Sequence, residues 1–505
     1  MNNKVDWGGF CVILAMYAVF IFIGWLASRK VKKGSTADMI LAGRGVPVLL
    51  AVLTMTATWV DGGYILGTAE GAFTGMASAI QGGVGFGLSL VLGGIFFARI
   101  MRARGYTTLI DPFEERFGKK WAAVLSLPAL LGEVFWSAEL LVAVGAAFGV
   151  ILNMDLTTAI LVSAVIVTFY TMLGGMWAVA YTDAFQLILI PVGLIVALPF
   201  VFQHVGGFKS AWEQYQINKG DAASFLPPLT ANSFWNTGSI TSWWDTSAML
   251  VLGGIPWNCY FQRVLSSKTP NGARKQSLIA GVLTILLTVP PLLLGIVAVV
   301  YWKDGLANPT MAVPFMFQQL VPYWVGLLGL VAIVGAVTSS FSSSILSAGS
   351  MFAWNWYLRL ISPQANVDRM QRVVRISIVA LGIAATWMAL KVESVQALWF
   401  FTSDLVFVLL FPQLVMVLFD PKTNKAGSIA AFIVSFLLRF GGGDTLFGLP
   451  KLIPYPDWWP VRTVAAIVGF ILLAGVSRLM GNAKGYQTTN NDNNKPGVLQ
   501  PALVN

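Results

Sequence analysis

Apolar runs of about 20 residues recur from one end of this 505-residue chain to the other, and a helix of roughly that length crosses the hydrocarbon core of a bilayer. Within lipid every peptide group must find its partner inside the protein, which leaves helices as the natural form for runs this long. Thirteen stretches qualify: 8–28, 45–73, 78–101, 121–151, 155–174, 183–203, 243–265, 277–302, 322–353, 371–390, 395–419, 426–441 and 459–480. Composition agrees, since 56% of residues are hydrophobic and only 11% charged, less than half the ~25% charge of an average soluble domain. A soluble enzyme of ordinary design is excluded, and an all-α polytopic membrane protein is predicted. One membrane domain covers 1–483, and the polar, Asn-rich tail 484–505 reads as disordered. The first span begins at residue 8 with no basic leader or small-residue cleavage site, so a removable signal peptide is not expected.

The net charge of +10 does not indicate nucleic acid, because the basic residues are scattered through short loops between spans. Of the 32 Lys and Arg, 24 fall in one alternate set of connections and 8 in the other. Basic loops stay on the cytoplasmic side, which places the N-terminus outside and the C-terminus inside a plasma (inner) membrane. The longest external loop is 205–242. The two cysteines, Cys11 and Cys259, sit in apolar stretches and read as small buried hydrophobes. His204 stands alone at a span end, and one imidazole cannot build a metal site. Nothing in the sequence sets an oligomeric state.

Two spans are unlike the others. In 45–73, Thr56-Ala57-Thr58-Trp59-Val60-Asp61-Gly62-Gly63-Tyr64 puts a carboxylate and two glycines in mid-membrane, and in 243–265 the run Gly253-Gly254-Ile255-Pro256-Trp257-Asn258 is similarly disruptive. Gly exposes backbone and Pro removes a donor, so each sequence interrupts its helix. Non-helical backbone survives at that depth only when buried in protein or lining a cavity. The breaks fall in the first and sixth of the ten helices after the N-terminal span. That is the layout of two inverted five-helix repeats, about 45–203 and 243–419, with a substrate site between the broken helices. Helices 8–28, 426–441 and 459–480 are then additions. Close packing of glycine-rich helices is the plainer alternative.

Ionisable residues inside spans are functional candidates because each is costly there. Here they are acidic: Asp61, Glu70, Glu133, Glu139, Asp183, Asp245 and Asp404, whereas the basic residues lie near span ends. An acidic interior without Lys or Arg suggests that mobile cations supply the missing charge; interfacial or protonated carboxyls are the alternative, above all for Glu70, Glu139 and Asp245. On the span rich in hydroxyls, positions 336, 339, 340 and 343 share one helical face. Hydroxyl oxygens there, set against carbonyls freed by a broken helix, would form the hard oxygen site a small cation such as sodium needs, unless they simply bond their own backbone. Trp59 and Trp257 lie within the breaks, with Trp136 and Trp399 in other spans. Converging aromatic faces recognise a quaternary ammonium. Trp177, Trp243, Trp244, Trp302, Trp458 and Trp459 read instead as interfacial belt residues.

Over about residues 10–480 the chain resembles the sodium:solute symporter family, and within it the high-affinity choline transporters. The family-level motif is Leu173-Gly174-Gly175-Met176-Trp177-Ala178 followed by Tyr181-Thr182-Asp183, together with Ser339-Ser340. Longer stretches carry the subfamily resemblance: Thr54-Met55-Thr56-Ala57-Thr58-Trp59-Val60, Gly67-Thr68-Ala69-Glu70, Leu252-Gly253-Gly254-Ile255-Pro256-Trp257, Tyr260-Phe261-Gln262-Arg263-Val264-Leu265-Ser266-Ser267 and Ser344-Ile345-Leu346-Ser347-Ala348. The resemblance implies a leucine-transporter-like fold with one extra N-terminal and two extra C-terminal helices. It implies a sodium site from the carbonyls of Ala57, Val60 and Ala336 and the hydroxyls of Ser339 and Ser340. The implied aromatic cage is Trp59, Trp136, Trp257 and Trp399, with Phe86 where the family has tyrosine. Asp183 matches an acidic residue tied to a second sodium, for which Asp61, Ser342 and Ser343 are further candidates. This chain departs from the choline-transporter pattern in carrying Asp61 in place of glycine and Ser342 in place of aspartate. If these positions face one another a charge is preserved near the second ion or the substrate cation; if not, Asp61 pairs directly with the substrate's ammonium, which would favour an amine that can hydrogen-bond.

The reading reached from sequence is a sodium-driven symporter importing choline or a related organic cation by alternating access. Sodium is the coupling ion, with no organic cofactor, and the partners are a small organic cation, sodium and the lipid bilayer. A sodium symporter for an amino acid, betaine or protonated amine is the alternative within the family, and a channel or sensor without coupled transport the alternative outside it. An enzyme is not expected, because the sequence holds no nucleophile–histidine pair, metal cluster or phosphate loop.

Overall fold

A computed structural model describes residues 5–29, 36–391, 395–444 and 448–481; the tail 484–505 lies outside them. Among the described residues the protein is helical, and β-pairing is confined to two isolated bridges, Val46 with Ser267 and Asp444 with Leu449. Among the described residues eight helices are long and apolar enough to cross a membrane, or up to ten when each of two bent pairs is taken as one span. Leu156–Phe169, Thr237–Gly253 with Asn258–Ser266, and Lys425–Gly441 are shorter or less uniformly apolar. Helices start where a short polar side chain can bond an orphan amide. Asp6 accepts from Gly9 N and Asp155 from Thr158 N, each at 3.0 Å, while Asn236 and Ser239 form a reciprocal capping box.

The breaks fall where Gly and Pro interrupt the hydrophobic pattern. Helix Val48–Trp59 stops, and Gly63–Thr74 continues after a 55° bend. Thr237–Gly253 stops, and Asn258–Ser266 resumes beyond Pro256. A further bend of 40° separates Leu398–Leu409 from Phe411–Phe419, at Pro412. The stretches expected at 155–174 and 183–203 are joined without a loop: one helical run, Leu156–Gln203, is interrupted only at Gly175, with φ 57° and ψ −165°. A side chain there would be strained by the positive φ and would meet the Met39 carbonyl at 2.9 Å.

Helix Tyr323–Phe352 is the hub, packed against Leu156–Gln203 and Lys119–Ile151 and buried over most of its length. The outer helices turn large apolar side chains outward, among them Phe22, Val165, Ile188, Ile383 and Ile471, as a lipid-facing surface requires. Cys11 corrects the sequence reading: it is exposed on the first helix, and only Cys259 is buried. The long connection 205–242 is not featureless. It folds into helix Gly207–Lys219, whose Tyr215 hydroxyl donates to Ala72 O at 2.9 Å and whose Lys219 ammonium donates to Phe73 O.

Candidate functional site

The helix break around Val60–Gly62 leaves the end of one half-helix and the start of another without their usual backbone partners. Asp61 serves the second half-helix as an N-cap does: one carboxylate oxygen accepts from Tyr64 N at 2.7 Å. The other accepts from the Trp136 indole N–H at 2.5 Å. The break thereby draws the Lys119–Ile151 helix against it and fixes the Trp136 ring.

Around this carboxylate the structure brings together all the aromatic residues expected from sequence. One cavity is lined by Trp59, Phe86, Trp136, Trp257 and Trp399, with Asp61 and Thr402. The rings meet edge to face, at centroid separations of 6.1 Å for Trp59–Trp136 and 5.5 Å for Trp136–Trp257, while Phe86 lies 5.3 Å from Trp399. Each of the five is at most 6% exposed. Trp59 ends one broken helix and Trp257 lies in the break of the other, so the cavity is assembled from both breaks. Thr402 was not anticipated, although it lies three residues beyond Trp399 on the same helical face. Its hydroxyl donates to Trp399 O at 2.6 Å.

Four of the five expected sodium ligands converge behind this cavity. Ser339 Oγ donates to Ala57 O and to Ala336 O, each at 2.9 Å, and Ser340 Oγ lies 3.5 Å from Ala57 O and 2.9 Å from Thr58 O. All are fully buried. Thr58 O was missed, and it comes from the same exposed helix end. Val60 caps that helix, with its N–H on Thr56 O at 3.0 Å. With their hydrogens turned away, the two hydroxyls and the neighbouring carbonyls present an uncharged, oxygen-only set to a small cation.

The other acidic positions behave differently. Asp183 Oδ2 accepts from Thr54 Oγ1 at 2.5 Å and pairs with the Arg263 guanidinium at 3.1 Å. The same Arg263 nitrogen donates to Ser343 Oγ. Asp183 and Ser343 are therefore brought together, but through an arginine. Ser342 Oγ bonds Ser339 O on its own helix at 3.0 Å, and Asp61 belongs to the aromatic cavity. This corrects the view of an interior without basic residues: Arg263 is 0% exposed and Arg439 4%. Both stand near span ends in sequence, yet their long side chains run inward. Arg439 bonds Asp404 at 2.8–2.9 Å through Nε, and Arg462 bridges Asp404 and Asp245. Glu133 is held by Ser344 and Ser347, and Glu70 by Thr310 and the Gln396 amide.

Comparison with known proteins agrees with this architecture. The family model described as the sodium:solute symporter family matches residues 39–435. The high-affinity choline transporter 1 of Caenorhabditis elegans is 41% identical over 91% of this chain and 83% of its own length. That of Homo sapiens is 39% identical over 93% and 85%. Among solved structures, a Na+-coupled sialic acid symporter in a substrate-bound outward-open state aligns over 94% of this chain and 98% of its own, with a TM-score of 0.75 at 18% identity. MhsT in complex with L-phenylalanine aligns over 85% and 98%, with a TM-score of 0.53 at 14% identity.

Proposed function

The chain belongs to the sodium:solute symporter family, and from that premise we propose that it imports choline or a closely related quaternary ammonium together with sodium. The observation that carries the substrate class is the cavity of four tryptophans and Phe86 closed on one side by Asp61. A trimethylammonium group has no N–H to donate and is held by aromatic faces and by charge. Each oxygen of Asp61 receives one hydrogen bond and keeps a lone pair, so the carboxylate attracts a cationic substrate by its charge.

Sodium bound by Ala57, Val60, Ala336, Ser339 and Ser340 would tie helix Val48–Trp59 to helix Tyr323–Phe352 and stabilise one orientation of the break. Its release inward would free the two helices and open the cavity to the cytoplasm. At about 100 mV each entering charge contributes about 2.3 kcal/mol to accumulation. The chain in this reading spans a plasma (inner) membrane thirteen times, N-terminus outside and C-terminus inside. It is a single transporter domain over 1–483 with repeats 45–203 and 243–419. Labelled choline offered to proteoliposomes tests the proposal. Accumulation under an inward sodium gradient, and none under an equal potassium gradient, is the expected result; sodium-driven uptake of other solutes with no competition by choline would overturn it.

A further inference from the structure

Among the interior carboxylates Asp61, Glu70, Glu133, Glu139, Asp183, Asp245 and Asp404, Glu139 alone accepts no hydrogen bond on either oxygen. It is 0% exposed. A buried ionised carboxylate without donors is among the costliest groups a protein can hold, and it is either protonated or completed by a cation. Its position is specific. A Cβ added to Gly63 would lie 2.5 Å from Glu139 Oε1, and one added to Gly62 would lie 3.8 Å from it. The two glycines thus admit this carboxylate against the first turn of the second half-helix, directly after Asp61. The charged groups that face it are Asp61 and Glu70, both acidic. Asp61 itself is bonded only by uncharged donors, Tyr64 N and the Trp136 indole.

Asp183 is the instructive contrast, because its charge is met by Arg263, whose guanidinium also takes Ser343 Oγ. A mobile cation placed there would face a fixed one. We propose that the second coupling cation of this transporter binds instead between Glu139 and Asp61, at the Gly62–Gly63 break and apart from the Ser339–Ser340 site. With the substrate's ammonium in the aromatic cavity, this sodium and the ammonium together face the two carboxylates Asp61 and Glu139. Two carboxylates make a hard, oxygen-only donor set, suited to sodium. The proposal rests on the preceding reading in taking sodium as the coupling ion, but it does not require choline.

The test is equilibrium binding of radioactive sodium to the purified full-length protein in liposomes, without organic substrate. Wild type is expected to bind two sodium ions, and Glu139→Gln and Ser339→Ala one each, by loss of different sites; the double variant should bind none. Glu139→Asp, which keeps the charge, should restore the second ion at weaker affinity, and this separates ligation from a packing defect. In uptake assays the sodium Hill coefficient should fall from near two to near one in Glu139→Gln. An unchanged sodium count in Glu139→Gln, or a single ion in wild type that is lost only with Ser339→Ala, would overturn the proposal. Loss of one ion in Glu139→Gln together with failure of the wild-type protein to transport choline would support this site and remove only the substrate assignment.

Discussion

Two buried clusters within one protein treat negative charge in opposite ways. At Asp183 a guanidinium is supplied by the chain itself, 3.1 Å away, and a threonine hydroxyl completes the pair. At the break after Trp59, Asp61 and Glu139 stand together with no cationic side chain on either. The first arrangement is locked, because its counter-charge is covalently attached. The second is open to ions that come and go, as a gradient-driven machine requires. Asp404, bonded by both Arg439 and Arg462, belongs with the first kind.

The comparison breaks most visibly at the locked pair. Arg263→Ala leaves Asp183 buried without its partner, a loss of about 3–5 kcal/mol by the usual cost of breaking such pairs. Thermal unfolding in detergent should show a large fall in midpoint, and Arg263→Met combined with Asp183→Asn should recover most of it. A midpoint within a degree of wild type for Arg263→Ala would remove the distinction between the clusters.

At the open cluster, Asp61→Asn is expected to leave the fold intact, because an amide oxygen still accepts from Tyr64 N or Trp136. The half-saturating concentration of choline should rise by about tenfold or more, a change of at least about 1.4 kcal/mol. Unaltered choline and sodium dependence would show that the carboxylate's charge serves only the helix cap. A smaller effect is expected at Trp257→Ala, where one aromatic face contributes about 0.5–2 kcal/mol. Affinity for choline should fall by about two- to thirtyfold, with less loss for a primary ammonium of the same chain length. Smallest, at saturating sodium, is Ser339→Ala: choline affinity should be nearly retained while the half-saturating sodium concentration rises, and initial rates across a sodium titration measure that separation.

Much of this was legible in sequence because it depends on local pattern. Hydropathy runs placed the helices, and Gly62, Gly63 and Pro256 placed the two breaks. Recurrent tryptophans identified the cavity lining, since a large apolar ring deep in a broken span has few other uses. What escaped depends on where long side chains end. Arg263 reads as a span-end residue, and only the packing of helix Asn258–Ser266 turns it inward to Asp183. Glu139 resembles any other interior acid until its contact with Gly63 is known. The join at Gly175 was missed for a different reason, since a kink made by a single residue leaves no polar stretch to mark it.

The outer helix Gly207–Lys219 has a consequence of its own. Tyr215 and Lys219 bond the last carbonyls of half-helix Gly63–Thr74, which ties that half-helix to helix Gly207–Lys219. Its Ile217 side chain is 80% exposed. A spectroscopic label attached there turns each opening and closing of the buried centre into a signal read from the water, with nothing inserted into the membrane.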